Sequence, residues 1–235
     1  MAERVITPKQ VFHAEFYLKH NSKRQEHLAS LNLPIEKGMT VFETGAGIGD
    51  HTKFFVDAGC VVTPTEGRRE NWLELRKVYP NAVELDLENT EVGDKKMKSS
   101  YDIVYCYGTL YHIGKPLEAI DYMSKKAGKY LFLETCVTYG DDEDIGLCRE
   151  QVYDPSQSLS GVACRPTRSW IVNRLKERFD YVYVTTTQPN HPEFPVDWTT
   201  KPKTALYRSV FVASREPIKN KFLTEKIPLK QTRIK

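Results

Sequence analysis

Residues 40–50 read TVFETGAGIGD, and this stretch constrains the fold more than any other part of the chain. The apolar pair Val41 and Phe42 predicts a buried strand, and the residues that follow position 50 continue as a helix. Between them stand three glycines, Gly45, Gly47 and Gly49. Glycine tolerates positive φ angles and lets a ligand approach the backbone, so this arrangement is typical of a nucleotide-binding loop. We therefore expect a ligand at the carboxyl end of this strand.

The spacing of the glycines separates two kinds of nucleotide-binding loop. A dinucleotide fingerprint requires the pattern GxGxxG, whereas here the third glycine comes one residue early. The pattern ExGxGxG, which begins at Glu43, instead resembles the first motif of class I S-adenosylmethionine-dependent methyltransferases. The resemblance implies that S-adenosylmethionine is the cofactor and that Glu43 lies close to its methionine end. A tight strand-to-helix turn without a ligand is the alternative.

A second acidic residue follows the next predicted strand. Residues 60–65 are mostly apolar and β-branched and end at Glu66, a short distance along the chain from Glu43. A carboxylate at the tip of a second strand can accept hydrogen bonds from both ribose hydroxyls of a nucleoside. Glu66 is therefore predicted to bind the cofactor. The alternative is a surface ion pair with Arg68 or Arg69.

The resemblance to methyltransferases extends over two further strands. Residues 82–87 predict a short third strand, and the resemblance places Asp86 against the adenine amino group. Residues 101–114 resemble the fourth-strand motif, which is matched here by Asp102, Gly108, Leu110, Tyr111 and His112.

His112 is the candidate catalytic base of this motif. Its loop position suits a base that takes a proton from the acceptor, although a histidine there could equally orient a backbone carbonyl or line the adenine site. Tyr107 on the cofactor side and Tyr111 on the substrate side are candidates for shaping the same pocket.

The order of strands and helices predicts an α/β fold. Five predicted strands alternate with helices up to residue 134, and two more strands are predicted at 181–187 and 205–213. The resemblance implies a doubly wound, seven-stranded Rossmann-like sheet that is mostly parallel with an antiparallel last strand. We predict a helical lead-in over 1–39, a methyltransferase domain over 40–214 with an insert at 136–165, and a mobile basic tail over 215–235.

Composition excludes several other classes of protein. The chain of 235 residues has no apolar run of 18 residues and begins without the apolar stretch of a signal peptide, so we expect a soluble, cytoplasmic protein without a membrane partner. Its five cysteines include no CxxC pair, which indicates neither a disulfide framework nor a metal site. The net charge of +3 is too small to require nucleic acid as a partner.

The segments around the predicted sheet contain candidate substrate residues. Arg165 and Arg168 follow the insert and could reach a carboxylate or phosphate at the rim of the pocket. Further candidates are Tyr153, Gln157 and Ser158 in the insert and Asn190 and His191 in a later loop. The resemblance to methyltransferases implies that the lead-in covers the cofactor pocket, which makes Phe16, Tyr17, His20 and Arg24 candidate neighbours of that pocket. A helix packed on the sheet edge with solvated charges is the alternative.

We predict O- or N-methylation of a small polar acceptor, which could be sugar-like or anionic. Two alternatives remain open at this stage. One is an enzyme that transfers a methyl or carboxymethyl group to tRNA or another nucleic acid, because tRNA-modifying enzymes have a similar LYH loop. The other is a methyltransferase-like partner subunit that has no catalytic activity.

Overall fold

The computed structural model describes residues 6–234. The strands are β1 (Thr40–Glu43), β2 (Val61–Glu66), β3 (Val83–Glu84), β4 (Tyr101–Tyr107), β5 (Ala127–Val137), β6 (Ile145–Arg149), β7 (Val162–Pro166), β8 (Tyr181–Thr185), β9 (Thr187–Gln188), β10 (Tyr207–Ser214), β11 (Leu223–Thr224) and β12 (Thr232–Arg233). The α-helices are α1 (Pro8–Phe12), α2 (Glu15–Ser30), α3 (Thr52–Asp57), α4 (Arg69–Val78), α5 (Glu91–Asp94), α6 (Pro116–Lys126) and α7 (Arg168–Lys176). Leu110–His112 form a short 3₁₀ helix.

An eight-stranded sheet organises the molecule, in the order β11-β8-β10-β5-β4-β1-β2-β3. Strands β1 to β5 pair in parallel, whereas β10 is antiparallel to both of its neighbours, β5 and β8. Successive residues of one strand point to opposite faces, and both faces of this sheet are apolar. In β1, Val41 packs into one core and Phe42 into the other. A parallel sheet buried on both faces is the doubly wound arrangement that the sequence predicts.

The sheet has eight strands where the sequence predicts seven. The additional strand, β11, comes from the segment after residue 214, where the sequence predicts a mobile tail. This segment instead packs on the sheet, because Leu223 pairs with Thr185 and the side chain of Gln231 donates to the carbonyl of Thr185. Its few apolar residues, Ile218, Phe222 and Leu223, are partly buried against one of the two cores. These contacts have no local periodicity, which is why the sequence does not reveal them.

The insert also contains secondary structure that the sequence does not predict. Its two strands, β6 and β7, pair antiparallel from Ile145 with Pro166 to Arg149 with Val162. Most residues of β6 are partly or fully exposed, so the strand has no apolar alternation. The irregular parts of this region are therefore residues 138–144, before β6, and residues 150–161, between the two strands.

Within the described residues, no helix combines the length and the apolar character needed to cross a membrane. All five cysteines carry free thiols, and four of them are buried.

Candidate functional site

The turn after β1 has the backbone that its glycines predict. Gly45, Gly47 and Gly49 have φ angles of +58°, +60° and +100°, which residues with a Cβ rarely adopt. Gly45 and Gly47 line a cleft, and a Cβ on Gly47 would lie 3.1 Å from the ring of Phe12. A Cβ on Gly49 would instead lie 2.6 Å from the ring of Tyr79. Two of the three glycines therefore border the cleft, and the third, Gly49, allows the turn to pack against Tyr79.

The cleft lies at the carboxyl ends of β1, β2 and β4 and encloses about 640 Å³, counting its open mouth. The predicted site residues that line it are Gly45, Gly47, Glu66, Asp86 and His112. Residues 155–159 of the insert form the opposite wall. They include Gln157 and Ser158, which the sequence suggests as substrate residues.

A second, smaller cleft of about 370 Å³ adjoins the first. It contains Glu43 and Tyr107, together with Asn21 and Arg24 of α2 and Asp50 after the glycine turn. The residues common to both clefts are Phe12, Tyr17, Gly45, Gly47 and Gly108. The two clefts therefore adjoin at these residues, and together they are called the groove, with Asp86 in the first cleft and Glu43 in the second.

The two glutamates at the strand ends have similar environments. Glu66 accepts hydrogen bonds from the backbone N–H groups of Gly47, at 2.9 Å, and Arg68, at 2.8 Å. Glu43 accepts a hydrogen bond of 2.5 Å from the hydroxyl of Thr52. Burial raises the pKa of each carboxyl to about 7. Both groups therefore change charge near neutral pH, which is unusual for glutamate.

His112 is held by an acidic partner from the insert. Its Nδ1 lies 2.5 Å from Oε2 of Glu150, whose other oxygen pairs with Arg165. These hydrogen bonds lower the pKa of Glu150 against its burial, so the carboxylate is ionised and can only accept. Burial lowers the pKa of His112 below 6.5. In neutral imidazole, Nδ1 is therefore the donor, and Nε2 keeps a lone pair.

The remaining substrate candidates lie outside both clefts. Arg165 is occupied by Glu150 and by the carbonyl oxygens of Tyr111 and Cys164. Arg168 is buried, donates to the carbonyl of Pro228 and lies 4.0 Å from the ring centroid of Trp198. The hydroxyl of Tyr111 accepts from Arg208. The structure therefore does not bring Arg165 and Arg168 to the rim where the sequence predicts them.

Sequence reasoning missed a buried charge cluster beside the second cleft. Glu134 of β5 is fully buried and bridges two arginines. Its Oε2 lies 2.9 Å from Arg24, and its Oε1 lies 3.1 Å from Arg208. Arg208 also pairs with Glu193 at 2.7 Å. Glu134 and Arg208 each interrupt an otherwise apolar strand, and this is the signal that could have identified them.

Two solved structures have the same fold as this chain. The N-terminal domain of EvdMO1, crystallised in the presence of SAH and D-fucose, is 18% identical with a TM-score of 0.63, and the match covers 82% of each chain. Magnesium protoporphyrin IX methyltransferase from Synechocystis PCC 6803, with bound SAM, is 16% identical with a TM-score of 0.52 over 88% of this chain and 89% of that one. The chain has the fold of S-adenosylmethionine-dependent methyltransferases. This result confirms the fold class that the sequence predicts.

Comparison of sequences matches a smaller part of the chain than comparison of structures. No family model matches the chain. A tRNA U34 carboxymethyltransferase from Helicobacter hepaticus (strain ATCC 51449 / 3B1) is 26% identical over 106 residues. That match covers 44% of this chain and only 33% of the relative, so the chain matches about a third of that protein's length.

Proposed function

We propose that this chain binds S-adenosylmethionine in the groove and transfers its methyl group to a small polar acceptor. The observation that carries the proposal is the pair of adjoining clefts, with Glu66 in one and Glu43 in the other. A Cβ at Gly47 would press on the ring of Phe12, and one at Gly45 on the side chain of Thr109, both of which line the first cleft. The buried hydroxyl of Tyr107 lines the groove without a hydrogen-bond partner among the described residues. A ligand with a nucleoside and a polar tail fits these features.

We assign the ends of the groove from their chemistry. Glu66 and Asp86 would hold the ribose and adenine, and Glu43, with Arg24 and Tyr107, would hold the polar methionine end. Burial raises the pKa of the Tyr107 hydroxyl, so it stays protonated and can donate a hydrogen bond. When bound, the cofactor supplies a methyl group on a sulfonium, which lies between its two polar ends. Tyr17 and Gly108, which border both clefts, would then surround the reacting centre.

The affinity for S-adenosylhomocysteine should depend on pH through Glu66. Ribose hydroxyls donate to the carboxylate, and the raised pKa of about 7 means that the group takes up a proton as pH falls through neutrality. We expect affinity to decrease as pH drops below about 7, and Glu66→Gln to weaken binding by about 1–3 kcal/mol at pH 8. Calorimetric titration across this pH range measures both effects.

Glu84→Gln is the matched control for this experiment, because Glu84 pairs with Arg69 at the surface beside β2. It should leave affinity and pH dependence unchanged. Equal affinities of wild type and Glu66→Gln at pH 8 would contradict the ribose assignment.

His112 is proposed as the base that takes the acceptor's proton. Glu150 accepts from Nδ1 and leaves Nε2 as the proton acceptor, which is the tautomer that a base requires. The 3₁₀ helix that contains His112 follows directly on Gly108 and Thr109, which line the groove. The Glu150 contact also ties this helix to the insert, so the base and the outer wall of the groove are held together.

His112→Ala should lower kcat by about 10²–10⁴-fold and leave S-adenosylhomocysteine affinity nearly unchanged. The wild-type kcat at saturating cofactor should fall on the acid side, with a midpoint below 6.5, because the pKa of His112 is lowered and its protonated form is inactive. Glu150→Gln should also reduce kcat, since a neutral amide fixes the proton of His112 on Nδ1 less firmly than the carboxylate does. A variant His112→Ala that keeps more than about a tenth of wild-type kcat would refute the general-base role.

The acceptor class is inferred from the wall that the insert adds to the first cleft. Residues 155–159 line one side, with Arg68 donating to the carbonyls of Gln157 and Ser158 and Asn71 donating to that of Pro155. A small molecule can be held between this wall and the glycine turn. The similar structures support a small acceptor, since one was crystallised in the presence of D-fucose and the other is named for methylating a porphyrin.

RNA is the second candidate acceptor, because the matching curated relative modifies tRNA. Incubating the protein and methyl-labelled cofactor with a cell extract, and separating small molecules, RNA and protein, distinguishes the two. Label in the small-molecule fraction supports our proposal. Label in RNA would overturn the acceptor class but not the cofactor assignment, and no transfer to any fraction would overturn the proposed activity.

A further inference from the structure

Three side chains with metal-binding atoms converge outside the groove. They are His20 on α2, and His191 and Glu193 on the loop between β9 and β10, and one ligand atom from each lies within 4.8 Å of the others. The rings of the two histidines are 4.8 Å apart between centroids. None of the three lines either cleft. The cluster therefore requires an explanation that the proposed methyl transfer does not supply.

His20 is the least satisfied member of this cluster. Only 9% of the residue is exposed, and its Nε2 has no hydrogen-bond partner within residues 6–234. The nearest carboxylate oxygen, Oε2 of Glu193, is 3.7 Å away, which is too long for a hydrogen bond. Buried polar atoms normally have a partner, so this nitrogen is available to a ligand.

The charged groups around the cluster are of both signs. Arg24 and Arg208 are each paired with Glu134, and Arg208 is also paired with Glu193, while Arg233 and Lys19 lie near His191. Glu193 uses Oε2 to pair with Arg208, which leaves its Oε1 for another partner.

We propose that His20, His191 and Glu193 bind one divalent transition-metal ion of the Zn²⁺ type. Two imidazoles and a carboxylate are typical ligands of such ions, at about 2.0–2.2 Å from the metal. Ligand atoms on one tetrahedral ion lie about 3.4 Å from each other, so a spacing of up to 4.8 Å requires an approach of up to about 1.4 Å. Two of the three ligands are on a loop, which can make this movement. The ion would fasten this loop to α2, and its remaining coordination position is open to water.

The sequence does not predict this site, because His20 lies 171 positions before His191 and the three ligands together match no zinc motif of short spacing. The proposal is independent of methyl transfer, since it concerns residues outside the groove. Its test therefore measures metal binding and stability rather than activity.

The experiment uses full-length protein treated with a chelator, dialysed and titrated with Zn²⁺ against a chromophoric competitor. We expect one ion per chain and a Zn²⁺-dependent rise in Tm, since a ligand of the native state stabilises it. His191→Ala should weaken binding at least about tenfold and remove the rise in Tm. His191 is only partly buried, so this variant should fold, and His20→Ala provides a second test. His13→Ala, at an exposed position, is the matched control and should bind like wild type.

Two outcomes would overturn the proposal. One is the absence of stoichiometric binding to wild type. The other is equal affinity in wild type and His191→Ala, which would place the ion elsewhere, for instance at the partly exposed thiol of Cys148. Replacing Zn²⁺ with Co²⁺ distinguishes these sites, because a thiolate ligand produces a charge-transfer absorption band that imidazole and carboxylate ligands do not.

Discussion

Gly47→Val should abolish S-adenosylhomocysteine binding while the protein remains folded. Gly47 has φ of +60°, and a Cβ there would lie 3.1 Å from Phe12, on the wall common to both clefts. The backbone N–H of Gly47 also donates to Glu66. Displacement of this backbone would therefore disturb Glu66, the residue proposed to bind the ribose. We expect no binding by calorimetry and a cooperative thermal transition that confirms folding. The strain of a branched residue at this φ adds about 1–3 kcal/mol of destabilisation.

Gly38→Val is the control that separates backbone strain from blockage of the groove. Gly38 has φ of +89°, but a Cβ there would meet nothing within 4 Å, and it lies in the turn before β1, outside both clefts. This variant should lose stability and retain affinity. Normal S-adenosylhomocysteine binding by Gly47→Val would show that the ligand does not occupy the glycine turn.

Glu134→Ala should be the most destabilising substitution proposed here. Glu134 is fully buried between Arg24 and Arg208, and both arginines are also buried. Removing the carboxylate leaves two guanidinium groups close together without their shared counter-ion. Breaking a buried ion pair in this way costs about 3–5 kcal/mol, which chemical denaturation would measure.

Glu143→Ala provides the comparison with an exposed ion pair. Half of the Glu143 side chain is exposed, and it lies 2.9 Å from Arg174. Its removal should cost about 0–1 kcal/mol, because solvent screens the pair. Similar denaturation midpoints for the two variants would mean that Glu134 does not hold the arginines together. A fall in midpoint limited to Glu134→Ala would confirm that the buried cluster stabilises the junction of α2, β5 and β10.

The buried face of α2 is not the one that its first apolar residues occupy. Phe16 and Leu18 are 71% and 45% exposed. The face that packs on the sheet is mainly polar and contains His20, Asn21, Arg24 and His27. Periodicity detects apolar stripes, so a helix that buries polar groups against charged partners gives no such signal.

The sequence by itself determined the features that depend on neighbouring residues. The glycine turn follows from backbone angles that only glycine adopts easily, and the sheet follows from apolar runs that alternate with helices. Because parallel strands end at the same edge of a sheet, the sequence alone places Glu43 and Glu66 near each other. His112 could be placed on the adjoining loop for the same reason.

Only the tertiary structure decided which charges meet. Arg24, Glu134 and Arg208 come from α2, β5 and β10, and their contact depends on β10 lying between β5 and β8. Likewise, Arg165 was expected to face the acceptor but is occupied by Glu150, because the β6–β7 hairpin, which the sequence does not reveal, brings these two side chains together. The ion pairs of Arg24, Glu134 and Arg208 depend on strand order and on burial, and a local pattern of residues contains neither. Strand pairing at the edge of the sheet likewise placed the segment 215–234, because its partly buried apolar side chains fit a surface that distant segments build.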